Sequence, residues 1–121
     1  MSSNDLKGKI TVIKFWGVWC GWCVKEMPEF QEFCNKFKND PGVAVLTIDA
    51  RDSVSTVQEF MAKKQYSFPV LLEGDYMPKA RVVGFPTAWF VDSEGKKVFE
   101  QVGASKELIE EFTWRVSAMM K

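Results

Sequence analysis

The spacing of apolar and polar positions changes several times along the chain, and each change predicts an element. Ile10 to Trp16 is a β-branched and aromatic run between Gly8 and Gly17, the pattern of a strand. From Cys20 onward, Val24, Met27, Phe30, Phe33, Cys34 and Phe37 recur at helical spacing. Lys25, Glu29, Glu32, Lys36 and Lys38 take the opposite, solvated face, and Asn39-Asp40-Pro41-Gly42 ends the segment. Val43 to Ile48 is nearly all apolar, as in a strand buried on both faces. Asp52 or Ser53 then caps a helix carrying Val57, Phe60 and Met61, and Phe68 to Leu72 is a further short strand. This β-α-β-α-β order requires parallel strands joined by right-handed helical crossovers.

The remainder changes the sheet from parallel to mixed. Tyr76 to Val83 suggests one or two helical turns. Thr87 to Val91 and Lys97 to Val102 flank Asp92-Ser93-Glu94-Gly95, a hairpin signal. Ser105 is placed to open a last helix, with Glu107 and Glu110 near its start and Leu108, Ile109, Phe112 and Val116 along it. No linker or repeat interrupts the series, so residues 1–121 are expected to form a single α/β domain.

Composition narrows the chemistry. Of 121 residues, 46% are apolar, enough for a core that needs neither a disulfide scaffold nor a structural metal. Sixteen Lys+Arg balance sixteen Asp+Glu, which argues against a nucleic-acid partner. With no histidine, the commonest general base and metal ligand are absent, and three cysteines are too few for an all-cysteine zinc site, so no metal is expected. Met1 to Ile10 has no apolar stretch of the signal type and no segment is long enough to span a membrane, so the chain is expected to be soluble.

The chemistry concentrates at Cys20-Gly21-Trp22-Cys23, where the first strand turns into the first helix. Cysteines three apart in a helical turn bring their sulfurs within disulfide reach, with Gly21 expected to relieve crowding between them. Cys20, at the exposed mouth of the turn, faces the helix N-terminal N–H groups, which favour a thiolate. Cys23, one turn in, is expected to be buried. The arrangement suits a dithiol/disulfide couple in which Cys20 attacks and Cys23 resolves. A structural disulfide and half of a metal site are the alternatives, and the absence of a second cysteine pair weighs against both. Cys34, about three turns beyond Cys23, is too far along an intact helix to bond to it and fits a buried apolar thiol better than a third redox centre.

Phe15-Trp16-Gly17-Val18-Trp19-Cys20-Gly21-Trp22-Cys23 resembles the active-site segment of the thioredoxin superfamily, where Phe-Trp-Ala-x-Trp-Cys-x-x-Cys is usual. Cys23-Val24-Lys25-Glu26-Met27-Pro28 and the added helix and strand from Ser53 to Leu72 resemble its TlpA/ResA-like branch. The resemblance implies a thioredoxin fold: a central mixed β-sheet flanked by helices, with a helix-strand insertion after the second core strand. It implies thiol-disulfide oxidoreductase activity through the redox-active Cys20–Cys23 pair, without a separate cofactor, often in cytochrome c maturation or general disulfide reduction. The expected partners are a disulfide-containing protein substrate and a thiol electron donor, met by a monomer. The expected location is extracytoplasmic, with a cytoplasmic one still open.

Further site residues follow from the same resemblance. Gly84-Phe85-Pro86-Thr87 is similar to the loop ending in the family's cis-proline, which would put Pro86 opposite Cys20 and turn the Phe85 backbone toward an extended substrate. Val102-Gly103-Ala104 is similar to the loop beside the substrate groove. Glu26 shares a helix face with Cys23 and would accept or relay its proton. Pro28 should kink the helix. Trp19 and Trp22 would offer indole surface to a protein partner, whereas Trp16 would be packed.

Two departures stand out. Lys14 takes the place of a buried aspartate or small polar residue. It either lies under the site, stabilising a thiolate with its own pKa depressed, or carries its ammonium past an apolar stem to solvent. Trp22 stands where many relatives have Pro or His. A peroxiredoxin-like thiol peroxidase is weakened by Gly17, where that fold needs threonine. Covalent haem attachment is weakened by Val24, where histidine would follow the pair. A thioredoxin-fold binding module with little redox turnover is weakened by the intact cysteine pair.

Overall fold

The computed structural model describes residues 6–72, 82 and 84–120. Five strands form one sheet: β1 (Ile10–Trp16), β2 (Val43–Asp49), β3 (Val70–Leu72), β4 (Thr87–Val91) and β5 (Lys97–Val102), in the order β3-β2-β1-β4-β5. β2 is parallel to β1 and to β3, while β4 is antiparallel to β1 and to β5, so the sheet is mixed. Helix α1 (Gly21–Phe37) connects β1 to β2, α2 (Val54–Lys64) connects β2 to β3, and α3 (Leu108–Met119) follows β5.

Both parallel crossovers step the same way across the sheet, and right-handed connections therefore put α1 and α2 on the same face. Val12 and Trp16 of β1 point into that face, against Met27, Phe30 and Phe33 of α1 and Leu108, Phe112 and Val116 of α3. Phe33 meets Phe112 at 5.5 Å and Phe30 meets Phe68 at 5.4 Å between ring centroids, both edge-on, while Phe60 of α2 reaches Trp16 at 5.4 Å. The other face carries a smaller cluster of Phe15, Leu46 and Ile48, joined by Ile13, Leu71 and Trp89. Alternation along β1 thus assigns Lys14, between Val12 and Trp16, to the face covered by α1.

Several boundaries differ from the sequence expectation for identifiable reasons. β3 begins at Val70 because Pro69 has no N–H for the ladder; its carbonyl accepts instead from the N–H and the hydroxyl of Thr47, both at 2.9 Å. Ser53, not Asp52, caps α2, its hydroxyl accepting the Thr56 N–H at 3.2 Å. As the spacing predicts, α1 runs from Gly21 to Phe37 through Pro28. Ser105 does not open the last helix: α3 starts at Leu108, whose N–H donates to the Glu29 carboxylate of α1 at 3.1 Å. The helical turns expected between Tyr76 and Val83 lie, Val82 apart, outside the described residues. Among the described residues no helix is long and apolar enough to cross a membrane.

Candidate active site

The site forms where β1 runs into α1, at the carboxyl ends of the parallel strands. The Trp16 carbonyl accepts the Ala50 N–H at 2.8 Å, and a tight turn follows, with the Cys20 N–H donating to the Gly17 carbonyl at 3.0 Å. Cys20 is the extended N-cap of α1, and its Sγ accepts the Cys23 N–H at 3.2 Å. Cys20 and Cys23 are joined as a disulfide with their Cα atoms 5.2 Å apart. Cys23 is fully buried, as expected. Cys20 is not at an exposed mouth: only 8% of it meets solvent, because its sulfur folds back over the first helical turn to bond Cys23. The expected crowding at Gly21 is also absent, since a Cβ there would meet nothing within 4 Å.

The glycine that the turn does need is Gly17. A Cβ at this position would overlap Nε1 and Cε2 of the Trp19 indole and come within 2.9 Å of Cζ2. The indole lies over the bare backbone, where its N–H donates to the Ala50 carbonyl at 2.7 Å. The Arg51 guanidinium sits 4.8 Å above its ring, and Phe85 meets it edge-on at 5.2 Å. The Phe85–Pro86 peptide bond is cis, and the Pro86 carbonyl accepts the Gly103 N–H at 2.7 Å. Gly103 has φ +100°, which accounts for glycine there. Trp19, Phe85, Pro86 and Gly103 are thereby linked into one rim beside the disulfide. Trp22 stands apart, 63% exposed, with Lys25 Nζ 5.0 Å from its ring.

One turn beyond Cys23 on α1, Glu26 forms an ion pair with Lys14 between Oε1 and Nζ, with almost no exposure of either residue. The lysine is therefore buried against Glu26 instead of reaching solvent. The second Glu26 oxygen, Oε2, accepts the Ser105 N–H at 3.0 Å, tying α1 to the loop that carries Gly103. Burial draws the Lys14 ammonium down to about 7, with the nearby Cys34 acting in the opposite direction. Cys34 is a free, buried thiol, as expected; burial pushes it up to about 12, against the pull of Lys14. A cleft of about 390 Å³ between Trp22 and Lys25 on one side and Ser105 and Lys106 on the other reaches Glu26 and Glu29.

The sequence pattern offers Asp52 as a helix cap, whereas in the structure its segment braces the motif. The Asp52 carboxylate accepts the Val18 N–H at 2.8 Å, and buried Asp49 accepts the Asp52 N–H at 3.1 Å through Oδ1. The available signal was position: Asp49-Ala50-Arg51-Asp52 follows a parallel strand at its carboxyl end, where sites of open α/β sheets form. Chemically, the arrangement offers a disulfide at a helix N-terminus, one sulfur shielded in the core and a buried carboxylate one helical turn further on.

Residues 1–100 match the model of the AhpC/TSA family. The chain is 34% identical over 117 residues to the thiol-disulfide oxidoreductase ResA of Bacillus thuringiensis subsp. konkukian, covering 94% of this chain and 67% of that protein. It is also 34% identical over 106 residues to ResA of Bacillus subtilis, covering 86% of this chain and 59% of that protein. Among solved structures, a thioredoxin-family thiol:disulfide interchange protein of Chlorobium tepidum superposes with a TM-score of 0.87 at 22% identity, over all of this chain and 86% of that one. StoA of Bacillus subtilis superposes with a TM-score of 0.78 at 27% identity, over 88% of this chain and 84% of that one.

Proposed function

The chain belongs to the AhpC/TSA family of the thioredoxin superfamily and is a ResA-like thiol-disulfide oxidoreductase, and from that premise we propose that it reduces protein disulfides through a mixed disulfide on Cys20. The observation that carries the reading is the Cys20–Cys23 bond at the N-terminus of α1, with the Cys20 sulfur accepting the Cys23 N–H. In the reduced protein the same donor would stabilise a Cys20 thiolate, the attacking species. The buried Cys23 sulfur then displaces the product. The cysteine pair serves as the protein's own redox group, without a further cofactor. Glu26 takes the Cys23 proton. Trp19, Phe85, Pro86, Gly103 and Trp22 meet the substrate polypeptide, and a thiol donor returns the electrons. We place a monomer in an extracytoplasmic compartment, following the TlpA/ResA-like resemblance.

Turnover of a disulfide-bonded protein by the reduced chain tests the mechanism. Cys20→Ser should abolish it, and Cys23→Ser should accumulate a covalent mixed disulfide that reductant releases. A Cys23→Ser protein that captures no substrate would overturn the reading. Direction is tested by the reduction potential: a value near that of thioredoxin, about −270 mV, supports a reductant, and one near that of protein disulfide isomerase, about −180 mV, refutes it.

A further inference from the structure

Lys14 is the group that the thiol chemistry above leaves unused. It is 1% exposed and lies on the inward face of β1. Burying an ion pair seldom stabilises a fold, because desolvation offsets the attraction, and apolar side chains of similar volume do as well or better. Stability therefore does not account for a lysine buried at this position.

From the geometry, we infer that Lys14 is a positioning residue for the resolving step: its contact with Oε1 keeps Glu26 ionised and in place, so that Cys23 has a proton acceptor at neutral and mildly acidic pH. The groups around the ammonium support this. From α1 come Glu26, in direct contact, the Phe30 ring at 5.3 Å and the Cys34 thiol, which burial keeps protonated. Cross-strand neighbours are Thr47 of β2 and Ala88 of β4, with Gln101 of β5 beyond, all uncharged. Asp49, two residues past Thr47, hydrogen-bonds the Asp52 N–H. Glu26 is thus the carboxylate in ion-pair contact with the lysine. With burial drawing Lys14 toward 7, the lysine keeps its ammonium form at neutral and lower pH, where it faces the Glu26 carboxylate.

With half of the substrate held as a Cys20 mixed disulfide, Cys23 passes its proton to the Glu26 carboxylate. The Cys23 sulfur electron pair forms the bond to Cys20, the bond from Cys20 to the substrate sulfur breaks, and that sulfur leaves as a thiolate to take a proton from water. The cysteine pair is oxidised and the substrate sulfur reduced.

The inference rests on the dithiol reading, and one experiment separates the two. The reduced protein is mixed with dithiobis(nitrobenzoate), and release of coloured thiol is followed against pH. The first release reports attack by Cys20, the second resolution by Cys23. In Lys14→Met the acid limb of the second phase should move up by about one to three pH units, slowing it about tenfold or more at pH 6. Lys14→Gln should show the same shift if the Met variant folds poorly, and Lys14→Arg, which keeps the charge, should hold the limb near its original place. An unmoved limb in both uncharged variants, or a shift in the first phase alone, overturns the inference. If Cys23→Ser in a Cys34→Ala background still gives a second release, the dithiol reading fails instead.

Discussion

Replacing Gly17 by alanine tests how the motif turn is built. The new Cβ would overlap the Trp19 indole nitrogen, so the ring must lift off the backbone. Three contacts go with it: the hydrogen bond to the Ala50 carbonyl, the edge-on packing on Phe85 and the Arg51 cation over the ring. Their ordinary worths are about 0.5–1.5 kcal/mol, about 0.5–1.5 kcal/mol and about 0.5–1 kcal/mol. Against the loss stands the smaller unfolded-state entropy of alanine, about 0.4–1 kcal/mol in its favour where φ is not positive. The expected net cost is about 1–3 kcal/mol, or about 4 °C of thermal midpoint for each kcal/mol in a domain of this size. Thermal unfolding of the oxidised protein measures it. The sign should reverse in a Trp19→Ala background, where no indole is in the way and Gly17→Ala should stabilise by about 0.4–1 kcal/mol. An equal cost in both backgrounds, or a cost below about 0.5 kcal/mol in the native one, would refute this account of the turn.

Other outcomes follow from the buried groups. Lys14 has a lowered native pKa, so between about 7 and 10.5 the unfolded chain binds more protons than the folded one, and stability should rise with pH from 7 toward 9. The slope approaches at most about 1.4 kcal/mol per pH unit, and denaturant titrations of Lys14→Met should show it flattened. Above pH 9 Cys34 opposes this: its raised pKa means that the folded chain binds more protons between 9.0 and about 12, and Cys34→Ala should relieve the resulting loss. Glu29→Ala removes the acceptor of the Leu108 N–H and should cost about 1–2 kcal/mol, more than Glu29→Gln, in the same titrations. Asp52→Ala, which frees the Val18 N–H, should cost about 1–2 kcal/mol and slow attack by Cys20 as well.

Local pattern carries information only as far as local interactions decide the structure. β1 and β2 were readable because unbroken β-branched and aromatic runs allow little else, and α1 because its phenylalanines recur at helical spacing over a long segment. The start of α3 was not readable. Its first N–H is satisfied by Glu29, 79 residues earlier, and the Ser105 N–H by Glu26 at the same separation. On the period of α1 alone, Glu29 is one more charge on the solvated side. Its role as a cap exists only once the chain has brought α3 alongside α1, and no window along the sequence spans that distance.

Lys14 failed to resolve for a different reason. Its position was plain, between Val12 and Trp16 on an inward-facing strand register, and a charge at such a position contradicts the burial of its neighbours. From the strand alone the conflict has two solutions: a long side chain bent out to water, or a counter-charge brought in by another element. Glu26 supplies the second, and it was itself ambiguous, since a first-turn glutamate is ordinarily solvated and favoured by the helix dipole. Each residue explains the other only as a pair. A natural sequence departs from its own burial pattern chiefly where chemistry requires it, and here the departure pairs a strand lysine with a glutamate one helical turn beyond Cys23. That is the reason to look for the effect of Lys14 in the resolving step and not in the first attack.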